Sequence, residues 1–249
     1  YLNSFKITVK TLPSIQDIVD DKISFSDIKD LTVEDLLSRD EVQPNQELLS
    51  KNIYSKTVLV SGAGGSIGSE LCRQIVKLKP QKLLLLELNE YALFNISEDL
   101  KKIEHNIKII PLLINVQNSS RLNAVFETFK IDTVYHAAAY KHVPLVEENI
   151  CESVKNNVFG TFLITQAAIK YKVLNFVLIS TDKAVRSTNV MGATKRLAEI
   201  CVQSLYDYDK VKKTKFAIVR FGNVLQSSGS VIPKFKKQII EGGPLTLTD

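Results

Sequence analysis

The stretch "TVLVSGAGGSIGSELCRQIVKLKP" (residues 57–80) constrains the fold more than any other part of the chain. A short β-branched run closes on glycine, and a helical apolar rhythm follows until Pro80 stops it. A strand that turns through glycines into a helix opens a βαβ unit, whose next strand lies parallel to the first. The alternation then repeats. "KLLLLEL", "IKIIPLLI", "IDTVYHAAA", "NFVLIST" and "KFAIVRF" read as strands, while "ALFNISEDLKKIE", "RLNAVFETFK", "SVKNNVFGTFLITQAAIKYK" and "GATKRLAEICVQSLY" read as helices. Nearly continuous apolar strands between helices mean a parallel sheet covered on both faces, so the fold class is α/β, doubly wound. Pro111 cannot donate to a ladder and argues for a bulge or an edge in the third strand.

Residues 1–54 lack this rhythm and read as the tail of a preceding domain plus a linker; residues 55–249 form the second domain. The first fifty residues hold five Lys/Arg against ten Asp/Glu, so the net charge of +5 conceals a body near +10. A basic body suits a phosphorylated ligand, whereas "KVKKTK" (210–215) and "KFKKQ" (234–238) lack the interleaved aromatics of a single-strand binder. A nucleic-acid partner is therefore not expected. Three widely spaced cysteines without a C-x-x-C give neither a metal site nor a disulfide framework. No apolar run approaches a membrane span, and the opening on Tyr1 and the close on "GGPLTLTD" suggest a piece of a longer chain.

In "VSGAGGSIGSE", Gly62, Gly65 and Gly68 are spaced G-x-x-G-x-x-G with Gly64 extra, and Ser66 and Ile67 open the helix. Such glycines permit a tight turn and close backbone approach to a pyrophosphate at a helix N-terminus. Glycine turns also serve packing, but Glu87 ends the next strand nineteen residues after Gly68. A carboxylate there accepts both hydroxyls of an adenosine ribose and repels a 2′-phosphate, which favours NAD over NADP. Ala137, Ala138 and Ala139 end the fourth strand, where small side chains let a cofactor lie against the sheet edge; close helix–sheet packing also needs alanines. His136 alone reads as a structural histidine.

Taken together, the glycine spacing, the alanine run, "NNVFGT", "IST" and the Lys on the following helix resemble the extended short-chain dehydrogenase/reductases, a Rossmann-like family. The longer strings "HAAAYKHVPLVEENICESVKNNVFGT", "STDKAVRSTNVMGATKRLAE" and "RFGNVLQSSGSVIPKFKKQI" resemble nucleotide-sugar 4,6-dehydratases of the polysaccharide-biosynthesis branch, which act on UDP-N-acetylglucosamine. In membrane-anchored, configuration-retaining members of that branch Met replaces the usual active-site Tyr, as Met191 does here. The resemblance implies membrane helices upstream of the segment ending near "KTLPSIQDIV", a cytoplasmic domain of an inner-membrane protein, and substrate-binding sequence beyond Asp249. It implies Asn115 and Val116 at the adenine, where relatives carry Asp-Val, and Lys195 at the nicotinamide ribose. Lys141, His142, Asn157, Arg220 and Asn223 are the expected substrate contacts, with "GSVIPKF" in the nucleotide-binding segment. Helices 143–172 and 188–209 carry apolar faces that dimerising relatives use and that serve a core equally well, so a homo-oligomer stays open.

The implied reaction oxidises sugar C4, eliminates water across C5 and C6, and returns the hydride to C6. Thr181 would orient O4, while Asp182 and Lys183 would be acid and base for the elimination. A thioether cannot take the O4 proton, so the base is Asp182, Lys183 or a water positioned by Thr181, with Asp182 preferred. Burial would push Asp182 and Lys183 toward the neutral forms needed; pairing between them would oppose it. Two other readings stay open: an NAD-dependent nucleotide-sugar epimerase, and a non-catalytic dinucleotide-binding module.

Overall fold

Val58 and Val60 of strand β1 (Thr57–Ser61) join the core on one face of a sheet, Leu59 joins the core on the other, and all three are fully buried. The next strand, β2 (Lys82–Glu87), divides Leu83 and Leu85 from Leu84 and Leu86 in the same way. The period of two along each strand is what gives one sheet two cores. The computed structural model of the protein describes residues 10–11, 29–30, 44–104, 106–209, 213–224, 235, 238 and 240–244.

The chain forms two compact units, Tyr1–Asn45 and Gln46–Asp249. The described part of the first is an antiparallel ladder of Lys10–Thr11 with Lys29–Asp30. The second unit holds β1, β2, β3 (Lys108–Leu113), β4 (Thr133–His136), β5 (Asn175–Thr181) and β6 (Lys215–Phe221) in one parallel sheet of order β3-β2-β1-β4-β5-β6. Pro111 sits in β3, an edge strand of that order, as its missing N–H requires.

Helices α1 (Ser66–Lys77) and α2 (Glu90–Ile103) cover one face, with Cys72, Ile75, Val76, Leu93, Ile96 and Leu100 in the core. On the other face lie α3 (Ser119–Phe129), α5 (Thr161–Lys170) and α6 (Val190–Tyr208), around Phe126, Ile164, Phe176 and Val202. Phe126 and Phe176 are each 1% exposed or less, and burying a side chain of that size contributes up to about 3 kcal/mol. Asn89, Asn118 and Asn189 cap α2, α3 and α6 by accepting from Ala92, Arg121 and Gly192 backbone N–H groups. Phe159, Leu197 and Ile200, on the helices with those apolar faces, remain exposed.

Two details differ from the expected elements. The fourth strand ends at His136, and the three alanines run on beyond it. The long helix after α4 (Val143–Glu148) is a composite: Ile150–Ser153, a π-helical segment Val154–Gly160, then α5. Gly160 lies where a Cβ would come 2.8 Å from Val116 Cγ2, so the wide turn is packed directly against the end of β3. No described helix is long and apolar enough to cross a membrane.

Candidate active site

The strand order reverses direction between β1 and β4, and the carboxyl ends of those two strands open a crevice there. Ala137 N–H donates to Ser61 O (3.0 Å) and Gly62 N–H to Leu86 O (2.8 Å), which holds three strand ends at one level. Gly62 adopts φ 69°, and a Cβ on it would lie 2.7 Å from the Ala138 backbone. A Cβ on Gly68 would fall 1.9 Å from Gly62 O. Both glycines are thus required by the turn itself. Gly65 differs: its Cβ would meet only Gly62 O, at 3.3 Å, and the residue lines the crevice.

One half of the crevice, about 520 Å³, is lined by Gly64, Glu87, Asn115, Val116, Ala138 and Asn156 among others. Glu87 Oε2 accepts Gly64 N–H (3.0 Å); Oε1 accepts Leu88 and Asn89 N–H (2.8 and 3.0 Å). These bonds aim the carboxylate across the glycine loop and leave Oε2 one acceptor site for a ligand hydroxyl. Asn115 Oδ1 accepts Gln117 N–H (2.8 Å), so its amide NH2 is the end turned elsewhere. The other half, about 490 Å³, is lined by Ser66, Ile67, Gly68, Lys141, His142 and Ser153 among others. Gly62, Gly65, Ala137, Ala139 and Tyr140 line both halves. A two-lobed crevice crossing a helix N-terminus, with Glu87 fixed beside the glycine loop, fits a dinucleotide.

Asn157, expected at the sugar, is instead wholly buried with its amide fully engaged. Its Oδ1 accepts Tyr140 N–H (2.8 Å) and Asn156 Nδ2 (3.1 Å); its Nδ2 donates to Tyr140 O (3.0 Å) and Thr194 Oγ1 (3.1 Å). It therefore ties the crevice wall at Tyr140 to α6. Buried His136 is similarly spoken for. Thr161 Oγ1 donates to Asn157 O, so it accepts from His136 Nε2 (2.9 Å), and Nδ1 accepts from Ser61 Oγ (2.6 Å). Burial, then the Lys195 charge, pull this imidazole down to about 3, which keeps it neutral and structural.

Beyond β5 the chain turns through Asp182–Ala184. Thr181 Oγ1 and Lys183 Nζ both donate to Asp182 Oδ1, at 3.0 and 3.2 Å. Lys183 Nζ also reaches Asn223 Oδ1 (3.0 Å), and a Cβ on Gly222 would lie 3.2 Å from Asp182 Oδ2. Burial alone would raise the Asp182 carboxyl, but the hydrogen bonds from Thr181 and Lys183 and the Lys183 charge outweigh it and hold it below the usual range. Pairing, not burial, wins here. With side-chain exposures of 58% and 36%, Asp182 and Lys183 are open to a substrate.

Helix α6 brings up the remaining groups. Gly192 allows it to press on the turn, since a Cβ there would sit 2.2 Å from Lys183 O. Met191 is buried, and Lys195, 6% exposed, donates from Nζ to Ile179 O (2.7 Å). Burial pulls Lys195 down to about 8, against the opposing charge of Glu199. Arg220 does not stand free for a ligand: its Nε and Nη2 fork onto Glu199 at 2.8 and 2.5 Å. Sequence reading missed Asn156, Gly192 and Glu199; only the last carries a local signal, one helical turn beyond Lys195. Apart from Phe235, "GSVIPKF" lies outside the described residues, as do parts of both Lys-rich runs.

Crevice, glycine loop and parallel sheet together define a Rossmann-like α/β domain. The chain belongs to the polysaccharide biosynthesis protein family, whose model matches residues 58–249. It is 49% identical over 238 residues to the capsular polysaccharide biosynthesis protein CapD of Staphylococcus aureus, covering 95% of this chain and 39% of that protein. A UDP-N-acetylglucosamine 4,6-dehydratase (inverting) of Campylobacter jejuni is 34% identical over 197 residues, 78% of this chain and 57% of that one. The X-ray structure of Pen from Bacillus thuringiensis superposes with a TM-score of 0.74 at 37% identity, over 80% of this chain and 61% of that chain. The chain thus spans less than two thirds of each of these relatives' lengths.

Proposed function

We propose that this domain carries the NAD-dependent 4,6-dehydration of a UDP-linked N-acetylhexosamine, UDP-N-acetylglucosamine in particular, for bacterial glycan biosynthesis. The observation that carries the reading is the Thr181–Asp182–Lys183 cluster, an acid–base pair in contact at a strand's carboxyl end. The dehydratase relative supports the substrate class. NAD is the cofactor, held by the glycine loop, Glu87, Asn115 and Val116, with Lys195 toward the nicotinamide ribose. When bound it accepts a hydride from sugar C4 and returns it to C6.

Asp182, ionised by its partners, takes the O4 proton while Thr181 orients that oxygen. Protonation of Asp182 removes the charge paired with the Lys183 ammonium. Lys183, open to solvent, passes its ammonium proton to water as the charge beside it is lost. The amine takes the C5 proton made acidic by the 4-keto group, Asp182 gives its proton to the departing O6 as water, and Lys183 regains a proton from water at the end of the cycle. Return of the proton to C5 from Lys183, on the face it left, makes the enzyme configuration-retaining. Met191 shapes the pocket, and Lys141, His142 and Asn223 contact the sugar diphosphate. The reading carries with it a membrane anchor upstream and a cytoplasmic site.

Incubating the full-length protein with UDP-N-acetylglucosamine and NAD+ and weighing the product tests this. Loss of one water with retained C5 configuration is expected. An unchanged mass with a new sugar stereoisomer would replace the dehydratase by an epimerase, and no change with NAD+ bound would leave a binding module.

A further inference from the structure

Glu199 is 1% exposed, yet the reaction outlined above gives it no task. Its oxygens accept four hydrogen bonds: from Ser180 Oγ (2.6 Å), Arg220 Nε (2.8 Å), Arg220 Nη2 (2.5 Å) and Arg196 Nη1 (3.0 Å). That uses every acceptor site a carboxylate offers. Ser180 and Arg220 are direct partners on neighbouring strands, the rung immediately before Thr181 and Phe221. One residue further on, the two strands release the groups that meet in the candidate site. Lys183 faces Asn223 across that gap, and Asp182 packs on Gly222. On the same helix, Lys195 grips Ile179 O and Gly192 abuts Lys183 O.

From this arrangement we infer that Glu199 is a positioning residue, which fixes the spacing of the β5 and β6 ends and thereby the meeting of Asp182 and Lys183 with Gly222 and Asn223. Arg220 belongs to this clamp and not to the substrate. Stability gives no sufficient reason for the arrangement, since buried ion pairs are commonly replaced by apolar pairs without loss. What an apolar pair cannot do is fix direction: a fork of two N–H donors on a carboxylate sets both distance and angle. The inference rests on the proposed roles of Asp182 and Lys183, but its structural half can be judged separately.

The test is the paired replacement Glu199→Leu/Arg220→Leu in the full-length protein, with Glu199→Gln measured alongside in case the pair fails to fold. The expected result is a near-native melting temperature, KM and NAD+ affinity within about threefold, and kcat lower by at least about tenfold. A crystal structure of the variant should show Lys183 Nζ and Asn223 Oδ1 beyond hydrogen-bond distance. Native kcat in the paired variant overturns the inference. So does a raised KM at native kcat, which would return Arg220 to the substrate. Should the unaltered protein lack dehydratase activity, the reaction assignment fails on its own, and an unchanged Lys183–Asn223 contact in the variant would still sink the clamp.

Discussion

The two halves of the site are built from different materials. Around the glycine loop, recognition is made of backbone: β1 is buried throughout, Gly62 and Gly68 have no room for a side chain, and Glu87 is fixed by three N–H donors. At the ends of β5 and β6 it is made of charged side chains, and most residues of β6 are exposed. The first half has its shape before any ligand arrives, so binding there requires little reorganisation. The second half holds Asp182 and Lys183 in a mutual pair, which the proposed reaction would break and re-form. Damage to the first should therefore appear as lost affinity and stability, and damage to the second as lost turnover.

The sharpest way to break that division is Asp182→Asn. It leaves the cofactor half untouched and should lower turnover by about 10²–10⁴-fold while NAD+ affinity stays near native. Normal NADH formation in a single turnover would show that another group takes the O4 proton. Next in size is Gly68→Ala, whose Cβ would sit 1.9 Å from Gly62 O, so helix and loop must separate. A stability loss of about 1–3 kcal/mol is expected, with NAD+ affinity reduced at least about tenfold. Gly65→Ala is the control: its Cβ is 3.3 Å from Gly62 O, so affinity should fall with little change in melting temperature. Equal losses of stability in both variants would mean the loop is packing alone.

The cofactor half was also the more legible in the sequence. Strand rhythm, the Pro111 edge and Glu87 follow from local chemistry, since a turn's glycines and a strand's last residue announce themselves within a few positions. The triplet at Thr181 was legible as residues, but not which of burial and pairing would govern Asp182. That depended on how far the fold buries the turn: Asp182 stays 58% exposed, so its chain neighbours Thr181 and Lys183 prevail. Asn157 was misjudged because a polar residue in an amphipathic helix looks alike whether it faces a ligand or a buried loop. The engagement of Arg220 was illegible for a related reason: its partner, Glu199, sits on another element. A π-helical segment carries no periodicity that short windows reveal.

The ion pair behind the reaction half makes a pH prediction with a definite sign. Burial raises Glu199, but hydrogen bonds from Arg220, Ser180 and Arg196 overrule it and hold the group at about 2, against an ordinary 4.5. Its contribution to stability is present above about pH 4.5 and is lost as pH falls toward about 2. Lys195 acts at the other end. Its pKa is about 8 in the fold against 10.5 ordinarily, so the unfolded chain binds more protons between those values and stability rises across that window. Urea midpoints recorded from pH 6 to pH 3 should fall less steeply in Glu199→Gln than in the unaltered protein. Parallel slopes would show that the acid sensitivity arises elsewhere.

The smallest effect expected is at Met191, and it sharpens the comparison most finely. Met191 is buried at the start of α6 and cannot exchange a proton, whereas Asp182 and Lys183 are exposed and paired. If Asp182 is the O4 base, a phenol at position 191 adds an unneeded group to a filled space. Met191→Tyr should then change kcat by no more than about threefold, and Asp182→Asn/Met191→Tyr should be as inactive as Asp182→Asn alone. Recovery of C4 oxidation in the double variant would reveal that α6, and not the β5 turn, holds the better position for a base. In that case the β5 turn serves mainly the elimination, and the O4 proton has a path to Met191's place that the geometry of Thr181 and Asp182 does not require.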